Sequence, residues 1–552
     1  MKKLVRSAAL LVSIAAAVSF IFAAAPVASA ATSANDFSYS VSNKEVTITD
    51  YNGKGTSVVV PGTISGYPVV GVSFWYEGLT SIDVSACREL TYLGCGDNKL
   101  TYLDVSRNTK LERLICYNNS ISSLELSKNS ELYYLDCSNN ALSYLNLSWN
   151  RELIDIYCSE NRLTALDLSS LTHIDTLDCA NNSISELELP QSVYHLNCSY
   201  NQLKTFTIEP GQSVCYLNCT NNGMTSLDVK NAEYLYGLDC SNNSLTRLDV
   251  YKNTGLQSLS CAGNQLSELN IRANTDLRAL YCSDNRLTAL NLSNNALLFE
   301  LVCSWNYLTA LDLSANTEIY AVDCSNNYIE KSNLKGIAED KLDTEGDDEN
   351  SYYGYYSYIF SPQASGTPWI PPFLDVSRKA WYIDDIRYAF EHKLFAGTSA
   401  TTFSPEDAMT RGMLVTVLWG FAGRPGSAAA LTFTDVAADA YYAPAVIWAR
   451  EQGIVYGTSD TTFSPDMPIT REQLTTILYK YAVKLGKADA SGLPALEFFD
   501  ESSISAYAQD SVRWCVKAKI ISGFPDGTFG PQQSATRAQV ARMLHAFADA
   551  VQ

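Results

Sequence analysis

Residues 132–150 read LYYLDCSNNALSYLNLSWN, and Cys137 is followed three positions later by Asn140. The same Cys-x-x-Asn unit occurs twelve times, with its cysteines at 95, 116, 137, 158, 179, 198, 219, 240, 261, 282, 303 and 324. Every interval is 21 residues except the 19 between Cys179 and Cys198. Leucines recur around it as L-x-x-L-x-C-x-x-N-x-L-x-x-L-x-L-S-x-N, most cleanly from Leu111 to Ile121. So short and strict a period predicts a solenoid in which no coil can bury its apolar side alone. Each coil turns two leucines and the cysteine inward and stacks on its neighbours at about 4.8 Å, so twelve coils span about 55–60 Å. The Asn at the third position marks a turn, where its side chain bonds backbone groups that would otherwise be buried unpaired. A second Asn closes the other half of many coils, at 108, 129, 150, 253, 274, 295 and 316. It is replaced in the middle of the array, at Ala232 and around Pro190. With the 19-residue interval, this predicts a local irregularity there.

The thiols admit three readings. Fifteen cysteines suggest disulfides wherever a chain meets an oxidising compartment. The register favours packing, because each ladder cysteine takes an inward aliphatic position and stacked neighbours lie farther apart than the ~3.8 Å between Cβ atoms that a disulfide prefers. Metal binding is the third reading, against which stands one Cys per coil with no histidine partner. Cys87, Cys215 and Cys515 lie off the ladder, Cys87 in the register of the second Asn.

The repeat resembles that of internalin-type bacterial surface proteins whose leucine-rich repeats carry a cysteine ladder, over about Thr80 to Glu330. The preceding FSYSVSNKEVTITDYNGKGTSVVVPGTISGYPVVGV alternates apolar and polar residues between Gly turns. It is expected to form strands that cover the first coil. Rings cluster at the non-inward positions of the Cys strand: Tyr92, Tyr133, Tyr134, Tyr157, Tyr194, Tyr216, Tyr236, Tyr281, Phe299 and Tyr320. Small or acidic residues such as Thr164-Ala165 and Asp312 occupy the other strand. Tyrosine suits any strand, but the asymmetry points to the Cys-strand face as the one that meets a protein or glycan.

The first thirty residues have the form of a secretory signal. Lys2, Lys3 and Arg6 precede an apolar run from Ala8 to Ala25, and Ala28-Ser29-Ala30 has the small-residue form of a cleavage site. An uncleaved anchor is the alternative; no other stretch is long enough to span a bilayer. The chain holds 39 basic and 59 acidic residues, a net charge of −20. That excludes nucleic acid as a natural partner and argues against adhesion to anionic lipid.

After Asn327 the period fades into the acidic AEDKLDTEGDDEN and then YYGYYSYIFSPQASGTPWIPP, whose tyrosines are placed to close the last coil before a Pro/Gly-rich linker. A second repeat follows, in three copies. Copy one has Phe373, Asp375, Trp381-Tyr382, Gly397-Thr398, Phe403 and Thr410-Arg411. Copy two has Phe433, Asp435, Tyr441-Tyr442, Gly457-Thr458, Phe463 and Thr470-Arg471, and copy three Phe498, Asp500, Tyr507, Gly523, Phe529 and Thr536-Arg537. With Tyr507 aligned to Tyr382 and Tyr442, one residue is inserted between Tyr507 and Gly523. Each copy reads helix–loop–helix, with Thr410, Thr470 and Thr536 as N-caps of the second helices.

These copies strongly resemble the S-layer homology domain. The resemblance implies an all-α, three-lobed bundle whose grooves bind secondary cell-wall polysaccharide, often bearing a ketal-linked pyruvate. By motif position it implies that Arg411, Arg471 and Arg537 pair with an anionic sugar. Gly397, Gly457 and Gly523, with Thr398 and Thr458, would border the ligand, and Trp381, Tyr382, Tyr442 and Tyr507 would stack on it. The alternative role for the arginines is to tie lobes together. None of the three motifs has the family's usual Glu at the fourth position, and Phe524 replaces the threonine in copy three.

The four histidines fall in no metal-binding spacing, and no nucleophile-elbow or phosphate-loop pattern occurs. No cofactor, metal or catalytic residue is expected. The chain reads as multidomain: a signal segment (1–30), a β cap (31–79), a parallel-β leucine-rich-repeat solenoid (80–330), a C-terminal cap and linker (331–372) and three helical copies (373–432, 433–497, 498–552). The function expected is a secreted bacterial surface protein, held on the wall by the copies and presenting the solenoid to a protein or glycan. The rival is a structural envelope component whose repeats self-associate.

Overall fold

The strand register follows the leucine period. In a computed structural model, which describes residues 31–346 and 356–551, Leu93, Leu114 and Leu135 lie opposite one another on neighbouring parallel strands. The ladder continues in steps of one coil to Ala321–Asp323 and then Tyr356–Ile359. Most coils give this sheet only three residues, as in Arg113–Ile115. All twelve ladder cysteines are buried free thiols. They pack in one core with the inward leucines, as the packing reading expects. The signal segment lies outside the described residues.

The Asn at the third position does more than turn its own coil. Asn140 Nδ2 donates to the carbonyls of Cys137 and Ser138 and, in the coil before, of Cys116, at 3.0–3.1 Å. Its Oδ1 accepts from Ile121 N of that coil at 2.9 Å. The chain reverses one residue earlier, at a left-handed position occupied by Asn118, Asn139, Glu160, Asn181 and Tyr200 with φ of 48–54°. Asn and Asp tolerate that conformation better than most residues, which explains the doubled Asn-Asn of so many coils.

The expected irregularity at Pro190 is confined to a turn. His173–Asp178, Ser192–Asn197 and Ser213–Asn218 are the longest strands of the ladder, six residues each. They stay in register, with Thr176 opposite His195 and His195 opposite Tyr216. The two residues missing from the short interval leave the turn after Leu189, where the second Asn would otherwise sit. Pro190, with its restricted φ and no N–H to pair, fits that abbreviated turn.

Both ends of the array are covered. Phe37–Ser42 pairs antiparallel with Glu45–Tyr51, and Phe37, Tyr51 and Phe74 pack together in the core with ring centroids 5.8–6.1 Å apart. At the other end Tyr358 and Phe360 are buried against the core. Gln363 takes over the role of the ladder Asn, accepting from Ile329 N and donating to Cys324 O.

The chain divides between Ser365 and Gly366 into two compact units. Among the described residues the second unit holds six α-helices: α1 (Ile383–Glu391), α2 (Arg411–Phe421), α3 (Ala443–Glu451), α4 (Arg471–Lys484), α5 (Gln509–Lys517) and α6 (Arg537–Val551). Thr410, Thr470 and Thr536 cap α2, α4 and α6 by accepting from the backbone N–H three residues on. The second helix of each copy packs on the first helix of the next: α2 on α3, α4 on α5, and α6 back on α1. Three copies therefore close a ring. Each interlocks with the next through short bridges, Thr410 with Pro468, Thr470 with Ser534, and Ala408 with Thr536.

The helices correct the alignment of copy three. Tyr382, Tyr442 and Ala508 are the N-cap positions of α1, α3 and α5. Tyr507 therefore corresponds to Trp381 and Tyr441, and the span from it to the glycine is the same in all copies. The inserted residue lies upstream of Tyr507, in the loop containing the turn Glu501–Ser503. Ring identity alone pairs Tyr507 with Tyr382 and Tyr442, because in sequence a tyrosine beside the cap position looks like a tyrosine at it.

Candidate functional site

Each motif arginine reaches into the following copy. Arg411 Nε donates to Phe463 O and Nη2 to Tyr456 O, both at 3.0 Å. Arg537 donates in the same way to Phe403 O and Ala396 O, both at 2.7 Å, which joins the third copy to the first. Arg471 Nε donates to Phe529 O at 2.7 Å, but its second bond goes to Gln539 Oε1 at 3.4 Å. All three are buried, and each guanidinium lies over the phenylalanine whose carbonyl it binds, at 4.7–5.1 Å. Burial pulls all three below the usual arginine range, Arg471 to about 10. The lobe-tying role named as an alternative is thus present at every junction.

The loops that receive the arginines are held by carboxylates that sequence reasoning left without a role. Asp375 accepts from the N–H groups of Phe403 and Ser404, Asp435 from Phe463 and Ser464, and Asp500 from Phe529 and Gly530, at 2.6–2.8 Å. The signal was available, since a Phe-x-Asp opens every copy. Thr398 and Thr458 hydroxyls sit 2.8 and 2.7 Å from those of Ser404 and Ser464 on the same loops. In copy three Phe524 replaces the threonine, and its ring lies 4.3 Å from the Arg471 guanidinium.

The glycines have a packing reason. A Cβ on Gly397 or Gly457 would sit 2.2 Å from a loop carbonyl and 2.5–2.6 Å from the ring of Phe373 or Phe433. One on Gly523 would meet Phe498 at 2.6 Å. The space that a side chain would need is thus filled by their own lobe.

The rings divide. Trp381, Tyr441 and Tyr507 are 64%, 61% and 58% exposed, whereas Tyr382 is buried in the core and Tyr442 is half-buried. Tyr441, absent from the predicted set, therefore belongs with Trp381 and Tyr507. It falls within the field of Arg537, and Tyr507 within that of Arg411. In these two cases the arginine comes from one copy, the loop it binds from the next and the exposed ring from the third.

On the solenoid the rings of the Cys strand neighbour one another along the sheet, but they are not its most exposed rings. Arg113 lies over Tyr92 and Tyr134 at 5.9 and 4.7 Å, and Tyr134 touches Tyr157. Tyr194, Tyr216 and Tyr236 gather round His195, whose Nε2 is 2.9 Å from the Tyr236 hydroxyl. Phe299 stacks on Tyr320 at 5.5 Å. Tyr281, at the end of its strand, and Tyr133, just before its own, are half-buried. Yet Tyr102 and Tyr144, in the other half of their coils, are more exposed than any of these, at 63% and 55%. Among the described residues no group of three His, Cys, Asp or Glu could hold a metal ion, and no helix is long and apolar enough to cross a membrane.

Residues 372–412, 432–475 and 497–541 match the S-layer homology domain. An endoglucanase from Bacillus sp. (strain KSM-635) is 34% identical over 173 residues, 31% of this chain and 18% of that protein. A cellulosome-anchoring protein of Acetivibrio thermocellus is 31% identical over 160 residues, 28% of this chain and 35% of that protein. The chain thus spans about a third or less of these relatives. Among solved structures, the functional domain of InlJ from Listeria monocytogenes, described as including a cysteine ladder, is 29% identical. The match covers 45% of this chain and 65% of that one, with a TM-score of 0.39. The chain carries three C-terminal S-layer homology domains and a cysteine-ladder leucine-rich-repeat solenoid, and is a protein of the cell wall and surface. Neither domain type is typically catalytic, although some relatives are enzymes.

Proposed function

We propose that the helical ring anchors the chain non-covalently to secondary cell-wall polysaccharide, through grooves between its copies, while the solenoid binds a protein or glycan. The observation that carries the anchoring role is the repeated set of one buried arginine, one loop and one exposed ring drawn from three copies. A cation set in a carbonyl-lined pocket suits the carboxylate of a pyruvylated sugar, and the ring suits the sugar's apolar face. The cover of Phe524 on Arg471 makes that arginine's groove the weakest of the three, as the departure of copy three from the motif suggests. Weak grooves on one chain gain residence by multivalency.

The exposed rings give the cleaner test, since the arginines also hold the fold. Trp381→Ala, Tyr441→Ala and Tyr507→Ala combined in the full chain should abolish its co-sedimentation with sacculi purified from Acetivibrio thermocellus, while the second unit still unfolds in a single cooperative transition above the assay temperature. Undiminished sedimentation would overturn the groove assignment. For the solenoid, a screen of the full chain against extracellular proteins and glycans seeks the ligand. The capped sheet ends favour this reading over self-association into a lattice, and sedimentation velocity separates the two: a monomer over a wide concentration range fits a binding module, ordered oligomers a lattice.

A further inference from the structure

The three exposed rings are held in place by two different devices. Trp381 stands edge-on to Tyr382 at 5.1 Å and 78°, and Tyr441 stands edge-on to Tyr442 at 4.9 Å and 75°. Copy three has Ala508 at that position, so Tyr507 has no neighbouring ring to lean on. Instead its hydroxyl donates to Glu472 Oε1 at 2.9 Å. Glu472 belongs to copy two, directly after Arg471, and is 2% exposed. Its carboxylate also accepts from Ser505 N at 3.0 Å, Ser505 Oγ at 2.8 Å and Gln532 Nε2 at 2.9 Å.

The residue sizes at this junction are exchanged. Glycine and alanine occupy the place of Glu472 in the other copies, as Gly412 and Ala538. At the first junction a Cβ on Gly412 would lie 3.0 Å from the Tyr442 ring, so a small residue there leaves room for a large one at the cap. Around Glu472 the relation is reversed, with a long acid in one copy and Ala508 at the cap of the next. The acid restores by hydrogen bonding the support that was lost with the ring.

The charges agree with this geometry. Burial works to raise the Glu472 carboxyl, but the bonds from Ser505, Tyr507 and Gln532 outweigh it and hold it below the usual range. Burial, the bond to Glu472 and its negative charge together push the Tyr507 phenol well up, against a smaller opposing pull from Arg411.

We propose that Glu472 is the positioning residue for the groove ring Tyr507, and that Tyr507 consequently meets the polysaccharide with its ring face while its phenol proton stays committed to the protein. This rests on the reading of the exposed rings as polysaccharide contacts. Among the described residues Trp381 and Tyr441 show no such bond, so the grooves differ in what they offer a sugar: stacking plus a polar hydrogen from those two, stacking alone from Tyr507. Glu472 acts across a junction, so a residue of copy two sets the shape of a groove walled by copy three.

The test is a double-mutant cycle in the full chain, read as affinity for the same sacculi. Glu472→Ala and Tyr507→Phe should each weaken binding about fivefold or more, the range of a well-packed contact residue. The double variant should be no weaker than either single one, because both remove the same support. Glu472→Gln, whose amide oxygen still accepts the phenol proton, should bind nearly as the parent. Glu472→Gly with Ala508→Tyr, which copies the pairing of the first junction, should also restore affinity, and it decides the matter if Glu472→Ala unfolds. Parent-like binding by Glu472→Ala, or fully additive losses, overturns the proposal. If Tyr507→Ala weakens binding while Glu472→Ala does not, the groove reading stands and the positioning role falls. If Tyr507→Ala binds like the parent, both fall for this groove.

Discussion

In the solenoid each repeated Asn bonds back to the coil before it, whereas in the ring each repeated Arg bonds forward to the copy after it, and the third Arg reaches the first copy. The first arrangement is a translation and has two ends. Those ends need foreign parts, the strands at Phe37–Tyr51 on one side and Tyr358, Phe360 and Gln363 on the other. The second is a rotation that closes on itself, so no copy is terminal and no cap is needed. Repetition serves different purposes as a result. In the open array a polar repeat residue pairs the backbone of buried turns, and its loss is felt locally. In the closed ring it sets a junction, and each junction can diverge once the others hold the ring together, as Glu472 and Phe524 show.

The largest expected effect tests the open array. Asn243 Oδ1 accepts from Asn222 N and Met224 N, and its Nδ2 donates to the carbonyls of Cys219, Cys240 and Ser241. Asn243→Ala should cost the solenoid ~3–5 kcal/mol, since several buried backbone groups lose their partner at once. A solenoid unfolding midpoint in urea that does not move would break the contrast drawn above. Next comes the ring: Arg537→Ala strands the carbonyls of Phe403 and Ala396 and should cost ~2–3 kcal/mol. The loss should appear in the second unit's transition and leave the solenoid's in place, as differential scanning calorimetry would show.

The thiols sharpen the comparison at the scale of one residue. Cys137→Ser places a hydroxyl in a dry core and should cost ~1–3 kcal/mol, whereas Cys215→Ser, off the ladder and partly exposed, should stay within ~0.5 kcal/mol. Burial pushes the thiols of Cys95, Cys198 and Cys282 up to about 12. The native protein should therefore react rapidly with a disulfide reagent at Cys215 alone of its fifteen cysteines, and at all of them after denaturation. Rapid native labelling of about twelve would contradict the buried ladder.

The smallest effect is one of pH. The Glu472 carboxyl is depressed in the folded ring, so its contribution is complete above the unfolded value near 4.3 and fades as pH falls through the lower folded value. Melting curves between about pH 5 and 3 should show a shallower acid loss for the ring in Glu472→Gln than in the parent. Equal slopes would mean that this carboxylate's bonds do not favour its charged form.

What could be read in the sequence was whatever a residue type encodes about its own position. Leucine every 21 residues marks inward packing, a cysteine held in the same register shares it, and Asn after them marks a turn, because each of these follows from local position alone. The three copies of the second repeat were visible for the same reason, as were their capping threonines. The direction of the arginines was not. Five of their six partners are backbone carbonyls, 45–141 residues away in sequence, and a carbonyl leaves no mark in the amino-acid code. Nor was the place of Tyr507, where one residue decides between a helix cap and the exposed position before it.

The sequence by itself determined that this chain is a capped array of coils followed by three helical copies, because local period and composition suffice for that. Only the tertiary structure decided which rings face outward, which arginines are buried at junctions, and that Glu472 of one copy holds Tyr507 of another. Those relations depend on how helices from different copies come to lie side by side, and that is a property of the closed ring.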